Sequence, residues 1–210
     1  MNIYQILSPE DAGKMLATVA TMDWDVGKAR TKELTGTVKQ NMEILPQNNK
    51  DAKKLLMAVA DQIMRHRQVS LNCIPYKLHP PKFNKYVEGS EYKPHTDAPW
   101  MAETRTDLSC TLWLSEPDSY EGGVLSMGGQ EFKGKPGQAL FYNCDKIHSV
   151  SPVTKGERIC VITWVQSRIR DPIKRKMISD FRRWLAKMEG TPMFDEGSII
   201  YSSLLKRWME

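Results

Sequence analysis

The sequence lacks a long apolar run, and this absence excludes a membrane-spanning protein. The longest unbroken apolar stretch covers residues 55–60, whereas a transmembrane helix needs about 20 consecutive apolar residues. The first residues show no basic stretch followed by an apolar core, so we expect no signal peptide and no membrane partner. Internal repeats and low-complexity segments are also absent from the sequence.

Cysteine is scarce, with only four residues, at positions 73, 110, 144 and 160. None forms a Cys-x-x-Cys pair, which argues against both a disulfide framework and a zinc site. We expect free thiols in a reducing compartment and therefore predict a cytoplasmic protein. The 210 residues are 40% hydrophobic and 26% charged, which is typical of one globular domain. The net charge of +5 does not by itself establish a nucleic-acid partner.

Helical patterns occupy the two ends of the chain. Ser8, followed by Pro9 and two acids, predicts a helix start, and apolar residues then recur at helical spacing. A second helix is predicted to begin near Asp51. Asp171 and Pro172 predict a third, which the segment 190–192 ends before a short amphipathic terminus.

Between these ends the pattern changes to short alternating or β-branched runs separated by turn residues. Such spacing is typical of a β-sandwich or barrel. Seven strands are predicted, at residues 82–86, 92–96, 108–114, 123–127, 138–142, 147–153 and 158–166. Gly122 and Gly123 predict a backbone bend, since neither a helix start nor a lysine follows them as in a phosphate-binding loop.

A His-x-Asp pattern at His95 and Asp97 indicates a possible metal site. Residues two apart in a strand point to the same side, so these side chains could occupy adjacent positions on one metal ion. The pattern is weak alone, but His148 lies 51 residues beyond Asp97 on another predicted strand. Two histidines and one carboxylate form the facial triad of non-haem Fe(II) oxygenases, which leaves coordination positions open.

Arg158 follows His148 by ten residues and begins an apolar run. A charged residue at the head of such a strand needs an anionic partner if it points inward. Guanidinium matches a carboxylate bidentately, so Arg158 could anchor one end of a dicarboxylate whose other end chelates iron.

These residues resemble the Fe(II)- and 2-oxoglutarate-dependent dioxygenases of the prolyl-4-hydroxylase type, and more closely the bacterial PKHD-type hydroxylases. The resemblance covers roughly residues 1–184 and includes many ordered matches. They are the segments 22–24, 38–41, 80–86, 105–109, 120–123, 148–154 and 164–167. The tail beyond about Lys187 departs from the pattern, which leaves its role open.

The resemblance implies an α+β fold with a double-stranded β-helix, or jelly-roll, core flanked by helices. It implies His95, Asp97 and His148 as iron ligands, Arg158 as the anchor of 2-oxoglutarate, and Tyr86 as a hydrogen-bond partner of that cosubstrate. We expect one structural unit of three parts: helical support at residues 1–78, the catalytic core at 79–170 and a helical extension at 171–210.

The activity implied by the resemblance is hydroxylation of an unactivated C–H bond with Fe(II), 2-oxoglutarate and O2, releasing succinate and CO2. A peptide or protein side chain is the expected substrate, with proline first among the candidates. Ascorbate is implied as a reductant of the iron.

Two alternatives stay open at this point. The first is oxidative demethylation of nucleic acid, which the basic stretch within residues 168–187 favours mildly, although a solvated helix face is the preferred interpretation of that stretch. The ten-residue gap between His148 and Arg158 resembles the prolyl-hydroxylase branch instead. The second alternative is a jelly-roll binding module without catalysis.

Three aromatic residues of the predicted strands are interpreted as packing residues: Tyr92, Trp113 and Trp164. A pocket-lining role is the alternative for the two tryptophans.

Overall fold

Helices lie at both ends of the chain in the computed structural model, which describes residues 1–26, 39–47 and 49–210. They are α1 (Pro9–Ala20), α2 (Lys50–Arg65), α3 (Arg67–Cys73), α4 (Pro172–Lys187) and α5 (Pro192–Trp208). The predicted starts are confirmed, because the Ser8 side chain accepts from the Asp11 backbone amide and the Asp171 side chain caps α4 in the same way. Val38, part of one matched segment, lies outside the described residues.

The strands of the described chain are short and most lie between residues 75 and 167. They are β1 (Asn2–Gln5), β2 (Asp25–Val26), β3 (Met42–Ile44), β4 (Pro75–Leu78), β5 (Lys82–Tyr86), β6 (Tyr92–His95), β7 (Trp100–Met101), β8 (Thr104–Arg105), β9 (Leu108–Trp113), β10 (Tyr120–Gly122), β11 (Leu125–Met127), β12 (Gln130–Phe132), β13 (Gln138–Asn143), β14 (His148–Val150), β15 (Val153–Gly156) and β16 (Arg158–Ser167).

Two antiparallel sheets form the core. The larger has the order β1-β13-β9-β16-β5-β3-β2, with β4 paired to β16. The smaller has the order β12-β11-β14-β6, and the pairs β10-β15 and β7-β8 complete the strands. One buried cluster contains residues from both sheets and therefore lies between them. Its members are Tyr86, Trp113, Leu125, Met127, Leu140, Tyr142, Val150 and Val153.

The outer face of the larger sheet packs against the N-terminal helices. Alternate residues of β16, such as Ile159 and Val161, share a second buried cluster with Leu56 and Val59 of α2. Phe83 of β5 belongs to the same outer cluster. The remaining residues of β5 and β16 that alternate with these therefore face the space between the sheets.

One strand prediction needed correction. The predicted strand at residues 147–153 divides into β14, which pairs with β11 and β6, and β15, which pairs with β10. Pro152 separates them, since proline has no amide hydrogen to donate to a sheet.

The predicted bend at Gly122 is confirmed: its φ is +70°, and a Cβ there would lie 1.9 Å from the Pro152 carbonyl oxygen.

The predicted short terminal helix is instead 17 residues long as α5. Gly197 is its buried residue, and a Cβ there would lie 2.8 Å from Leu185 Cδ1 of α4. The two helices therefore approach closely at one point while most of α5 is exposed. The predicted division at residues 79 and 171 stays a prediction. No helix in the described ranges is long and apolar enough to cross a membrane.

Candidate metal centre and cosubstrate pocket

His95 and His148 lie side by side because their strands pair. His95 is the last residue of β6 and is the direct partner of His148 at the start of β14. Their ring centroids are 4.2 Å apart. Asp97 follows two residues after His95, and one ligand atom from each of the three side chains lies within 4.8 Å of the others. The structure thus brings together the three residues that the sequence pattern selected.

The hydrogen bonds of the two imidazole rings use Nδ1 and leave Nε2 of each ring facing the candidate metal position. Nδ1 of His95 lies 2.8 Å from the Lys93 carbonyl oxygen, and Nδ1 of His148 lies 2.9 Å from that of Lys146. A carbonyl only accepts, so each Nδ1 carries the hydrogen and each Nε2 presents a lone pair. Nε2 of His95 is buried without a hydrogen-bond partner among the described residues.

The charges of the centre suit a cation. The Nε2 atoms of His95 and His148 lie 4.0 Å and 3.8 Å from the oxygens of Asp97. Burial, reinforced by the neighbouring His148, lowers the pKa of His95 to about 4, so the ring is neutral at neutral pH. Neutral imidazole and a carboxylate are the donor set that a divalent transition metal requires. This donor set fits Fe(II).

The matched segment at residues 105–109 holds the loop that carries Asp97. Ser109 Oγ donates to Asp97 Oδ2 and lies 3.0 Å from Cys144 Sγ. Thr106 Oγ1 donates to the Ala98 carbonyl oxygen, and its amide donates to Pro99 at 3.1 Å. These bonds fix the carboxylate against the two imidazoles, a role that a spacing argument on ligands alone does not find.

An aromatic ring packs against each of the two imidazoles. The Tyr92 ring stacks on His95 with centroids 3.5 Å apart, and Tyr142 meets His148 edge-on at 5.0 Å. Tyr92 was expected to be an ordinary packing residue, but it packs directly on a candidate ligand. The period of two that was used to pair His95 with Asp97 does not include Tyr92, so this contact could not be predicted from spacing.

Arg158 is a buried cation with no carboxylate beside it. It is the first residue of β16, opposite Tyr86 of β5, and only 2% of its surface is exposed. Its guanidinium carbon lies 5.2 Å from the Tyr86 ring centroid, and Nη1 donates to Cys160 Sγ at 3.4 Å. Within the described residues Arg158 forms no ion pair, and its Nε has no partner. Since burying an unpaired charge is costly, this geometry indicates an anionic ligand.

The triad and Arg158 open onto the same interior. Tyr86, below the guanidinium, and Tyr142, against His148, belong to the single buried cluster between the two sheets. Gly123 borders Arg158, because a Cβ at Gly123 would lie 3.1 Å from Arg158 Cδ. The Tyr120 hydroxyl is a further buried polar group beside the Arg158 guanidinium. A dicarboxylate could therefore meet a metal at one end and a guanidinium at the other.

Comparison with known sequences gives the same picture. The profile of the 2OG-Fe(II) oxygenase superfamily matches residues 81–166. A PKHD-type hydroxylase of Synechococcus elongatus is 34% identical over 222 residues, which cover 100% of this chain and 99% of the relative. One of Stenotrophomonas maltophilia is 31% identical over 223 residues, with the same coverage of 100% and 99%. These alignments include the tail beyond Lys187, for which the sequence alone suggested no counterpart.

Solved structures show the same fold. A Pseudomonas putida prolyl-4-hydroxylase aligns with a TM-score of 0.54 at 21% identity, covering 80% of this chain and 92% of the other. A Trichoplax adhaerens prolyl hydroxylase, solved in complex with a hypoxia inducible factor oxygen degradation domain peptide fragment, aligns with a TM-score of 0.55 at 16% identity, covering 85% and 86%. The predicted jelly-roll core with flanking helices is confirmed.

Proposed function

Because the chain belongs to the PKHD-type hydroxylases, which are Fe(II)- and 2-oxoglutarate-dependent dioxygenases, we propose that His95, Asp97 and His148 hold its iron. Arg158 binds the distal carboxylate of 2-oxoglutarate, and Tyr86 lies beside that carboxylate. When bound, Fe(II) and 2-oxoglutarate supply the oxidising chemistry that uses O2 to hydroxylate a C–H bond and releases succinate and CO2.

One observation carries this proposal: the buried guanidinium of Arg158 has no acidic partner in the described chain, and it lies against Tyr86 of the inner cluster, whose Tyr142 meets His148 edge-on. A planar guanidinium binds a carboxylate through two parallel hydrogen bonds. His95, Asp97 and His148 would hold an Fe(II) ion with coordination positions left open for the keto acid of 2-oxoglutarate. The two features together suit a small dianion with separated carboxylates.

The protein's own residues position and shield this chemistry. The Nδ1 hydrogen bonds orient the imidazoles of His95 and His148, and Ser109 orients the Asp97 carboxylate. The apolar cluster between the sheets excludes water from the space beside Arg158, which strengthens its attraction for a carboxylate.

We further propose that the substrate is a peptide or protein side chain, with proline as the first candidate. The fold shared with the prolyl hydroxylases of Pseudomonas putida and Trichoplax adhaerens supports this choice, since the Trichoplax enzyme was solved with a peptide. Membership of a hydroxylase family favours an enzyme over a binding module without catalysis. Nucleic acid stays the alternative substrate class, and turnover of methylated oligonucleotides but not of peptides would select it.

The test is succinate release from labelled 2-oxoglutarate, with His95→Ala and Arg158→Ala as the site variants. His95→Ala should abolish turnover, and Arg158→Ala should weaken cosubstrate binding by about 2–5 kcal/mol, the cost of breaking a buried charge contact. His66→Ala is the matched control, because His66 caps α3 away from the site. Full activity in His95→Ala would refute the ligand assignment.

A second readout does not depend on turnover. Anaerobic addition of Fe(II) and 2-oxoglutarate should produce the weak visible charge-transfer band of the iron–keto acid chelate. Wild type and His66→Ala should show the band, and His95→Ala should not. A substrate screen read by mass spectrometry for a gain of one oxygen atom then identifies the hydroxylated side chain.

A further inference from the structure

A group of three charged side chains lies on the inner wall of the larger sheet, apart from the candidate iron ligands and from Arg158. Lys39 Nζ lies 2.6 Å from Glu43 Oε1, and Lys82 Nζ lies 2.8 Å from Glu43 Oε2. The side chains of Lys39, Glu43 and Lys82 are only 13%, 14% and 20% exposed. Charges so far removed from water need a reason, because their desolvation is costly.

Strand alternation shows that Lys82 faces the interior. Phe83 of β5 belongs to the outer core cluster and Tyr86 to the inner one, so Lys82 shares the inner face with Tyr86. Lys82 pairs with Ile162 at one end of the β5-β16 ladder, and Tyr86 pairs with Arg158 at the other end. Lys82 Nζ also lies 5.9 Å from the ring centroid of Trp164. The lysine and Arg158 therefore occupy opposite ends of one wall.

Glu43 and Lys39 reach the same space from the neighbouring strand. Glu43 is the partner of Asn84 in the β3-β5 ladder, and Asn41 Nδ2 donates to both Asn84 Oδ1 and Glu43 Oε1, at 2.5 Å and 3.1 Å. Lys39 Nζ lies 5.4 Å from the centroid of Tyr92, the ring that stacks on His95. The group therefore adjoins the metal centre and is not an isolated surface ion pair.

With both lysines protonated the group carries one positive charge in excess. Burial and the charge of Lys82 lower the pKa of Lys39, and a further carboxylate beside it would favour its charged form. Within the described residues neither lysine pairs with any acid except Glu43. Burial favours the neutral form of Glu43, but the charges of Lys39 and Lys82 outweigh it and lower the pKa of Glu43 to about 2, so the carboxylate is ionised. In the proposed loaded site the charges of Fe(II), Arg158, Asp97 and 2-oxoglutarate balance. The excess positive charge beside them is left for another anion.

We propose that Lys39 and Lys82, held in place by Glu43, form a subsite that binds a carboxylate of the peptide substrate. The subsite rests on the proposed function and deepens it, because it selects anionic peptides from the wider class of peptide substrates. The carboxylate is either an Asp or Glu side chain near the hydroxylated residue or the C-terminus of the peptide. Both sources present the same planar anion to the two ammonium groups.

The test uses two pairs of synthetic peptide libraries and the full-length protein loaded with Mn(II) and 2-oxoglutarate, which binds without turning over. One pair differs in a C-terminal acid or amide, and the other contains Asp and Glu or the isosteric Asn and Gln. Bound peptides are separated by gel filtration and quantified by mass spectrometry. Enrichment of the acid over the amide in one pair identifies the source of the carboxylate.

Wild-type protein should enrich the carboxylate-bearing members by about tenfold or more, equivalent to about 1.4 kcal/mol. Lys39→Met and Lys82→Met should each reduce that preference severalfold, and Lys82→Glu should shift it towards Lys-bearing peptides. Lys85→Met is the matched control, since Lys85 lies on β5 with a similar 14% exposure but pairs with Glu157 on the other face. It should keep the wild-type preference.

The outcomes separate this subsite from the proposed function. Equal recovery of acids and amides by the wild type overturns the subsite, whether or not 2-oxoglutarate is consumed. A loss of preference in Lys85→Met equal to that in Lys82→Met also overturns it, because a purely structural role of the lysines would then suffice. Retained preference in a protein that never forms the Fe(II)–2-oxoglutarate band would refute the proposed function and keep the subsite.

Discussion

The interior of the jelly roll and the C-terminal helix pair depart from ordinary packing in opposite ways. In the interior, polar atoms such as His95 Nε2 and Arg158 Nε are buried without partners among the described residues. In the helix pair, apolar side chains are exposed: Ile173 by 71%, Met177 by 54% and Ile199 by 69%. Each region therefore breaks one half of the rule that apolar groups are inside and polar groups are paired.

The two departures differ in what they cost. A buried polar group without a partner lowers stability by about 1–3 kcal/mol, and a buried charge by more, so such groups persist where a ligand uses them. An exposed apolar side chain costs little, because most folded proteins expose many. The interior is therefore informative about chemistry, and the helix surface alone is not.

The sharpest test of this contrast is Arg158→Met, which should separate stability from function. Methionine fills a similar volume without a charge, so the free energy of unfolding of the metal-free protein should stay equal or rise by about 1–2 kcal/mol. The affinity for 2-oxoglutarate should fall by about 100-fold or more, because the carboxylate loses its buried guanidinium. Urea unfolding and anaerobic titration of the iron–keto acid band measure the two effects. A large loss of stability with unchanged affinity would mean that Arg158 is a structural residue.

The helix pair offers the converse, a side chain whose loss should affect stability and not chemistry. Leu185 of α4 is 6% exposed and contacts α5 at Gly197. Leu185→Ala should cost about 2–4 kcal/mol in the free energy of unfolding, through lost burial and the remaining cavity. The affinity for 2-oxoglutarate at a temperature where the variant is folded should match that of the wild type. A change in affinity would show that the helix pair is coupled to the interior.

Ser109→Ala tests how far the support of a ligand contributes to metal binding. Ser109 Oγ donates to Asp97 Oδ2, and alanine removes that bond without filling the space. Loss of such a supporting hydrogen bond typically weakens metal binding by about 10–100-fold. Mn(II) titration followed by electron paramagnetic resonance measures it, and Ser203→Ala on the exposed face of α5 is the control. Equal Mn(II) affinity in both variants would show that Asp97 needs no such support.

Local patterns in the sequence predicted the elements that they determine. The alternation within residues 82–86 and the run from Arg158 are observed as β5 and β16. The pair His95 and Asp97 could be joined to His148 because ligand chemistry leaves few arrangements. The period of two was not the reason, since β6 ends at His95 and Asp97 lies on the loop that follows it. Local pattern does not show which strands pair with one another. The division of residues 147–153 between two sheets could therefore not be predicted.

The charged group of Lys39, Glu43 and Lys82 was missed for the same physical reason. Each residue alone looks like an ordinary surface charge, and Lys39 and Lys82 are 43 positions apart in the chain. Only the pairing of β3 with β5 brings Glu43 opposite Asn84 and within reach of both lysines. Tyr92 is a similar case, since its contact with His95 depends on side-chain orientation at the end of β6.

The smallest expected effect on the free energy of unfolding comes from an exposed residue on α4, the helix that also carries Leu185. Met177 of α4 is 54% exposed, so its replacement by glutamine removes little buried apolar area. Met177→Gln should change the free energy of unfolding by no more than about 0.5 kcal/mol and leave 2-oxoglutarate affinity unchanged. Urea unfolding beside Leu185→Ala checks this. If Met177→Gln costs as much as Leu185→Ala, then the exposed face of α4 is covered in solution, and the contrast between an informative interior and an uninformative helix surface no longer holds.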